Sequence, residues 1–169
     1  MRYLIKPMET EEEMDGKGYV HWKSWQESYT GLIDRTYLEE RITLEKCIQI
    51  AHRRPERILI AKDGEKVIGF VGYGAYRDDT LSDHGEIYAL YVLQSYQRQG
   101  VGHALISAAM KLLRNYDQIA LWVLEDNERA IRFYKRCGFH FDGVTQEIIL
   151  GSPIKECRMI SPLETSNCV

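Results

Sequence analysis

The stretch QRQGVG, at residues 97–102, has the composition of a phosphate-binding turn. An apolar strand-like run precedes it and a helix-like run follows it, so the first helical amides lack internal partners and the helix dipole makes that end positive. Gly100 and Gly102 let the backbone approach a bulky anion, and Arg98 adds a charged donor. The same glycines could also serve only a tight turn. The two standard nucleotide-binding motifs are disfavoured, because Leu105 stands where G-x-G-x-x-G needs its third glycine and no G-K-[ST] follows.

The elements that would position this turn can be read from the hydrophobic pattern. Helical spacing predicts helices over residues 11–29, 34–54, 103–114 and 127–136, the second capped by Asp34 and stopped by Pro55. Strands are predicted over residues 2–8, 57–62, 66–77, 85–93, 119–124, 139–150 and 154–163. Asp63-Gly64 is a hairpin signal between the second and third strands, and the continuously apolar run 119–124 indicates a strand covered on both faces. We expect one α/β domain over residues 1–169, with a mixed sheet.

Composition restricts the class of partner. The chain has 169 residues, 44% of them apolar and 28% charged, with a net charge of -3 and an isoelectric point near 6.0. Nucleic acid and anionic membranes are disfavoured as partners, because both require a broad basic face. No signal peptide or membrane span is evident, so we expect a cytoplasmic protein. The histidines lack metal-ligand spacing and the cysteines form no C-x-x-C pair, which predicts no metal site; the cysteines are Cys47, Cys137, Cys157 and Cys168.

Two motifs together resemble the GNAT superfamily of N-acetyltransferases. The first is the Q-x-x-G-x-G loop after the strand IYALYVL, with Gln97, Gly100 and Gly102. The second is NERAIRFYKRCGF, in which the matching residues are Asn127, Ala130, Phe133, Tyr134, Gly138 and Phe139. SWQESYTGLIDRTYL, at residues 24–38, is also similar to the substrate-side helices of small bacterial members. The chain departs from the pattern at residues 94–96, where many members carry a proline, and we expect a similar turn there.

The resemblance implies a mostly antiparallel sheet of about seven strands with one splayed parallel pair, flanked by about four helices. It implies acetyl-CoA as the donor, with its pyrophosphate on the amides of residues 98–102, helped by His103. The pantetheine arm would lie between strands 86–93 and 119–124 and pair with the backbone of residues 90–93. The implied donor-binding residues are Leu90, Tyr91, Val92, Leu93, Gln97, Arg98, Gln99, Gly100, Val101, Gly102, His103, Asn127, Ala130, Phe133 and Tyr134. Asn127 could equally cap its own helix.

Tyr134 and Glu86 are the implied catalytic residues. Tyr134 matches the family tyrosine near the CoA sulfur, where a protonated phenol can act as general acid; helical spacing alone would make it a packed aromatic. Glu86 lies where several members carry a glutamate that deprotonates the amine, and burial would raise its pKa; otherwise it is a solvated charge. Strand alternation places Glu86 on one face with Tyr88, Leu90 and Val92.

The acceptor pocket is predicted to include Trp25, Tyr29 and Tyr88, although the helical spacing of Trp25 and Tyr29 also suits core packing. The predicted function is direct transfer of an acetyl group from acetyl-CoA to a primary amine, either a small molecule such as a polyamine or a protein N-terminus. Net acidity favours a cationic acceptor. The alternatives are a CoA-binding sensor without turnover and an acyltransferase for another acyl-CoA. An open edge at the C-terminal strands makes a homodimer plausible.

Overall fold

A computed structural model describes residues 3–162, in which five α-helices and seven β-strands are present. Arg2, Leu163 and Cys168, which enter the sequence-based interpretation, lie outside the described residues. The strands are β1 (Leu4–Pro7), β2 (Ile58–Asp63), β3 (Lys66–Ala75), β4 (His84–Val92), β5 (Gln118–Leu124), β6 (His140–Leu150) and β7 (Ser152–Pro162). The helices are α1 (Glu11–Tyr29), α2 (Arg35–Arg41), α3 (Leu44–Arg53), α4 (Val101–Leu112) and α5 (Glu128–Arg136). Single 3₁₀ turns occupy Asp79–Leu81 and Gln94–Tyr96.

The strands form one sheet in the order β1-β2-β3-β4-β5-β7-β6. Every neighbouring pair is antiparallel except β4 and β5, which are parallel. That pair is in register only from His84↔Gln118 to Glu86↔Ala120, and beyond this point the two strands diverge. The predicted mixed sheet with a splayed parallel pair is confirmed.

The helical run at residues 34–54 is divided, which gives five helices where about four were expected. Asp34 caps α2 by accepting a hydrogen bond from the amide of Tyr37 at 2.7 Å. Thr43 has extended backbone angles, and its hydroxyl accepts from the amide of Lys46 at 3.3 Å to start α3. A threonine hydroxyl at an N-cap accepts from an amide that has no partner within the helix. Thr43 therefore favours the start of a new helix over continuation of α2.

Apolar side chains cover both faces of the sheet. On one face, α4 contributes Leu105 and Ile106 to a buried cluster that also includes Leu121 and Met159. On the other face, α1 packs against β2 and β3 in a cluster that includes Val20, Ile60 and Phe70. None of the helices described between residues 3 and 162 is long and apolar enough to span a membrane.

A bulge in β4 changes which side chains share a face. Gly72 pairs with Ala89 while Tyr73 pairs with Ile87, so Tyr88 is the extra residue. As a result Ile87 packs against the α4 cluster together with Leu90 and Val92, and Ala89 and Tyr91 pack against the α1 cluster. The predicted common face of Glu86, Tyr88, Leu90 and Val92 is therefore wrong: the bulge reverses the alternation and turns Glu86 away from the α4 cluster.

Candidate active site

A cleft of about 1340 Å³ opens where β4 and β5 diverge. The first turn of α4 and one face of α5 form one half of the cleft, which we call the donor half. The end of α1, the segment after β3 and the β6–β7 hairpin form the other half, which we call the acceptor half. The parallel pair therefore provides an opening that passes between two differently lined spaces.

The turn before α4 has the backbone geometry of an anion site. Gly100 is the N-cap residue of α4 with φ 84° and ψ -9°, a left-handed conformation that favours glycine. Gly102 lies close to α5, because an added Cβ would be 3.4 Å from the ring of Phe133. Arg98, Gly100, Gly102 and His103 line the cleft. The amides at the start of α4 have no helical acceptor, so this end can bind phosphate.

Most of the predicted donor-binding residues line this cleft, and three do not. Those that line it are Leu90, Tyr91, Val92, Gln97, Arg98, Gly100, Gly102, His103, Asn127, Ala130, Phe133 and Tyr134. The amide of Leu93 donates to the carbonyl of Ile68 at 3.0 Å, and the Leu93 side chain is buried toward α1. The side chain of Gln99 is exposed and bonds to the carbonyl of Ser95, while that of Val101 is buried in the core.

Gln97 and Asn127 use their side chains to hold the local backbone. The Gln97 amide group donates to the carbonyl of Val92 at 2.8 Å and accepts a hydrogen bond from Arg129. The Asn127 side chain accepts from the amide of Ala130 at 3.1 Å, which is the cap expected as one of its two roles. Gln97 thus holds the end of β4 and Asn127 the start of α5, and both elements line the donor half.

Sequence reasoning missed a row of arginines in the donor half. Arg129, Arg132 and Arg136 of α5 line it together with Arg98 and His103. Arg132 also pairs with Glu128 at 2.9 Å. The spacing of these arginines along α5 was a usable signal, since residues three and four apart share a helix face. The donor half is thus suited to a polyanionic ligand.

Tyr134 lies in the cleft between two other aromatic rings. Its ring centroid is 5.4 Å from that of Phe133 and 6.0 Å from that of Phe139. Burial raises the pKa of the Tyr134 hydroxyl well above its ordinary value, and the nearby Tyr29 and Cys137 add to this. The hydroxyl therefore keeps its proton at neutral pH, as a general acid requires.

Glu86 has no exposed surface, and its carboxylate is held by Arg77. The guanidinium Nη2 lies 2.6 Å and Nε 2.9 Å from Oε1 of Glu86, while the Arg77 amide donates to Oε2 at 3.0 Å. Burial raises the pKa of Glu86, and Arg77 opposes the rise. Arg77, which the sequence did not single out, comes from the segment after β3 and also lies over the ring of Tyr88, 5.5 Å from its centroid.

The predicted acceptor residues Trp25, Tyr29 and Tyr88 all line the cleft. The Trp25 and Tyr29 rings are 4.7 Å apart, and the Tyr29 hydroxyl is 3.2 Å from that of Tyr91. Burial raises the pKa of both tyrosines, so both hydroxyls stay protonated. The side chain of Tyr91 thus belongs with α1, although the residue was predicted from its backbone position beside the donor.

The acceptor half also contains residues that no motif indicated. The indole Nε1 of Trp122 donates to the hydroxyl of Tyr76 at 3.2 Å. The hairpin contributes polar and apolar side chains to the lining, namely Gln146, Ile148, Leu150 and Glu156. The alternation along the strand puts Gln146, Ile148 and Leu150 on one face. The sequence did not indicate which of the two faces would line the cleft.

Comparisons with known proteins agree with this geometry. The family model described as "Acetyltransferase (GNAT) family" matches residues 19–139. A probable N-acetyltransferase of Mycobacterium tuberculosis is 33% identical over 131 residues, which are 75% of this chain and 74% of that protein. The uncharacterized N-acetyltransferase YuaI of Bacillus subtilis is 31% identical over 127 residues, or 73% of each chain. The PaiA N-acetyltransferase of Thermoplasma acidophilum, solved in complex with coenzyme A, superposes with a TM-score of 0.70 at 21% identity, over 96% of this chain and 100% of that one.

Proposed function

We propose, from the premise that this chain belongs to the GNAT family and is an acetyl-CoA-dependent N-acetyltransferase, that it acetylates a primary amine by direct attack in a ternary complex. The observation that carries this proposal is the continuous cleft, which has Tyr134 and Glu86 in its lining and joins a cationic donor half to an aromatic acceptor half. Such a cleft lets both substrates meet at the opening between β4 and β5. A covalent enzyme intermediate is then unnecessary.

The donor half supplies the groups that acetyl-CoA requires. The amides at the start of α4 and the side chains of Arg98 and His103 would bind the pyrophosphate. Arg129, Arg132 and Arg136 would meet the remaining phosphate charge from α5. The edge of β4 that faces β5 is unpaired after Glu86, so it can hydrogen-bond the pantetheine arm.

Tyr134 and Glu86 carry the proton transfers in this proposal. The acceptor nitrogen attacks the thioester carbonyl, so that a C–N bond forms and the C–S bond breaks. Glu86 accepts the proton that the amine loses, through a water molecule, because its carboxylate is buried behind Arg77. Tyr134 donates its proton to the leaving thiolate, and its raised pKa makes it available as an acid at any working pH.

The acceptor class within this proposal is a small-molecule amine, including a polyamine, or a protein N-terminus. Two alternatives differ in what the cleft does. A CoA-binding sensor would bind acetyl-CoA without transferring its acetyl group, and an acyltransferase for another acyl-CoA would prefer a longer chain.

Tyr134→Phe tests the proposal directly. We expect kcat with a panel of primary amines to fall about 100-fold, because one general acid is lost, while the Kd for acetyl-CoA stays the same. Release of free CoA measures turnover, and calorimetry measures binding. Tyr19→Phe, at an exposed tyrosine of α1 outside the cleft, is the control. Tight binding without turnover on any amine would favour the sensor, and faster turnover with a longer acyl-CoA would favour the other acyltransferase.

We also propose that two copies associate through β6, the edge strand of the sheet. Phe141, Val144 and Ile149 of β6 are exposed apolar side chains, and an open edge offers backbone groups for pairing. Val144→Lys should then raise the dimer dissociation constant at least about tenfold, by burying a charge at the contact. Sedimentation velocity measures this, with Leu112→Lys on exposed α4 as the control. A wild type that sediments as a monomer at all concentrations refutes it.

The free cysteines support a proposal for the cellular compartment of the protein. Cys47, Cys137 and Cys157 are free, and free thiols are the rule in the reducing cytoplasm. We therefore propose a cytoplasmic location.

A further inference from the structure

We propose that Glu156 determines acceptor specificity by binding a second cationic group of the acceptor, so that the preferred acceptor is a dication. This inference rests on the proposed function, because it assigns the substrate class of the same cleft. It concerns a carboxylate that plays no part in the proton transfers.

The position of Glu156 follows from the alternation along β7. Its neighbour Lys155 points to the other side of the sheet and pairs with Glu125 at 2.9 Å. Ile154 and Arg158, two residues away on either side, share the face of Glu156. Ile154 packs with the apolar cluster of α1 and the hairpin, and Arg158 lies over the rings of Tyr76 and Trp122, 5.9 Å from each centroid. This face of β7 therefore borders the cleft, and Glu156 is part of the lining.

Glu156 has no cationic partner within the described part of the chain. Its Oε2 accepts a hydrogen bond from Gln146 at 2.9 Å, and no ion pair within 4.0 Å involves it. Two arginines in this region already have carboxylate partners: Arg158 pairs with Asp142 at 2.6 Å and Arg77 with Glu86 at 2.6 Å. A half-buried carboxylate without a counter-ion carries a desolvation cost that a ligand cation would offset.

The charge of Glu156 acts within the acceptor half. It raises the pKa of the Tyr29 hydroxyl, behind the larger effect of burial, and it helps to raise the pKa of Arg77, where burial acts in the opposite direction. Glu156 therefore lies close enough to influence both sides of the space that an acceptor would occupy. Because Arg77 is neutralised by Glu86, the acceptor half keeps an excess of negative charge.

Aromatic rings and a free carboxylate together select a cation. Trp25 and Tyr29 line the cleft with aromatic rings, which attract an ammonium or guanidinium group, and Glu156 supplies the opposite charge. The amine that reacts must be neutral when it attacks, so it cannot be the group that Glu156 holds as an ion. The cation belongs to a second group on the same molecule, and an acceptor that carries a carboxylate there is repelled.

A matched substrate series tests the proposal. The acceptors are α,ω-diamines with chains of three to eight carbons, each compared with the ω-amino alcohol of equal length, which lacks the second charge. For the wild type we expect kcat/KM about tenfold higher for the best diamine than for its amino alcohol. Glu156→Gln should remove this preference, mainly by raising KM for the diamine. Glu147→Gln, an exposed glutamate on the neighbouring strand outside the cleft, should leave the preference unchanged.

Equilibrium binding separates this inference from the proposed function. Titration of the best-binding diamine into the complex of the protein with CoA should show about tenfold weaker binding for Glu156→Gln than for the wild type. If no amine is acetylated but this difference is present, the proposed function fails and the role of Glu156 stands. Equal kcat/KM for diamines and amino alcohols in the wild type, or an equal loss of both in Glu156→Gln, overturns the inference.

Discussion

Arg77 sets the state of the proposed base, and this has a measurable consequence at the residue scale. A base must be ionised, so kcat/KM falls as the pH drops through the pKa of Glu86. Burial raises that pKa and Arg77 lowers it, so Arg77→Met leaves burial less opposed and raises the pKa of Glu86 further. The acid limb of the pH profile of kcat/KM should therefore move to higher pH.

Two further variants complete that experiment, one that removes the proposed base and one that serves as a control. Glu86→Gln should lower kcat/KM about 100-fold and leave only the acid limb that follows the pKa of the acceptor amine, since it removes the base. Arg35→Met, which removes an exposed guanidinium paired with Glu39 at 2.7 Å, should leave the profile unchanged. An acid limb that persists in Glu86→Gln, at the same pH for acceptors whose amines differ in pKa, would show that another group on the protein is the base.

Residues in contiguous motifs were predictable, and residues that arrive from separate elements were not. The glycine turn and the α5 motif placed Gly100, Gly102 and Tyr134 in the cleft, because each signal lies within a few residues. Arg77 and Glu156 carry no local signal: they reach the cleft only because the sheet order brings β3, which precedes Arg77, beside β4 and brings β7, which carries Glu156, beside β5. The sequence offered no means of pairing Arg77 with Glu86.

At the element scale, the β6–β7 hairpin turn packs on the N-terminus of α2. Gly151 in this turn has φ 81°, and an added Cβ would lie 2.5 Å from Cβ of Asp34. Gly143 in β6 has a similar φ of 89° but no atom within 4 Å of such a Cβ. Alanine substitutions at these two glycines therefore separate the free-energy cost of the positive φ from the cost of the clash with Asp34.

Gly151→Ala should therefore be more harmful than Gly143→Ala. We expect each to lower the free energy of unfolding by about 1 kcal/mol through the positive φ, and Gly151→Ala by about 1–3 kcal/mol more through the clash. Chemical denaturation measures both. Because the hairpin lines the acceptor half, Gly151→Ala should also raise KM for the amine without changing the Kd for acetyl-CoA. Equal effects of the two variants would show that the turn does not depend on Asp34.

Element types and order were predictable, whereas interruptions within elements were not. Hydrophobic periodicity gave the seven strands, but the bulge at Tyr88 inserts one residue without any sequence marker and reverses the face of Glu86. The division at Thr43 had a marker, since threonine is a preferred cap. The helical spacing on both sides of Thr43 concealed it.

For the molecule as a whole, Glu13 links the start of α1 to the edge of the sheet and should control acid stability. Its carboxylate is 2.8 Å from Lys6 of β1 and 3.2 Å from Lys62 of β2, and it accepts from the amide of Glu9 at 2.9 Å. Burial opposes its ionisation, but these partners outweigh burial and hold the pKa of Glu13 at about 2, below its ordinary 4.5. A depressed folded-state pKa stabilises the protein above pH 4.5, and the contribution is lost as the pH falls toward 2.

Glu13→Gln should lower the free energy of unfolding by about 2 kcal/mol at neutral pH, because Lys6 and Lys62 lose their charged partner at a buried position. Its stability should also fall less than that of the wild type between pH 4.5 and 2. Urea denaturation at a series of pH values measures both effects. Glu11→Gln, an exposed first-turn glutamate, is the control. Parallel stability curves for wild type and Glu13→Gln across that range would contradict the assignment.

The short parallel pairing of β4 and β5 leaves a seam near the centre of the sheet that has fewer residue pairs than any other strand pairing described. Three residue pairs join the half-sheet β1–β4 to the half-sheet β5–β7, and past Glu86 the amides of β4 have no strand beside them on that side. Local opening concentrates where backbone hydrogen bonds are few, so this seam is where the two half-sheets separate most easily. In the proposed complex, a donor arm hydrogen-bonded along β4 would take the place of the missing strand and close the seam. The ligand that supplies the acetyl group would then also connect the two halves of the sheet while the reaction takes place.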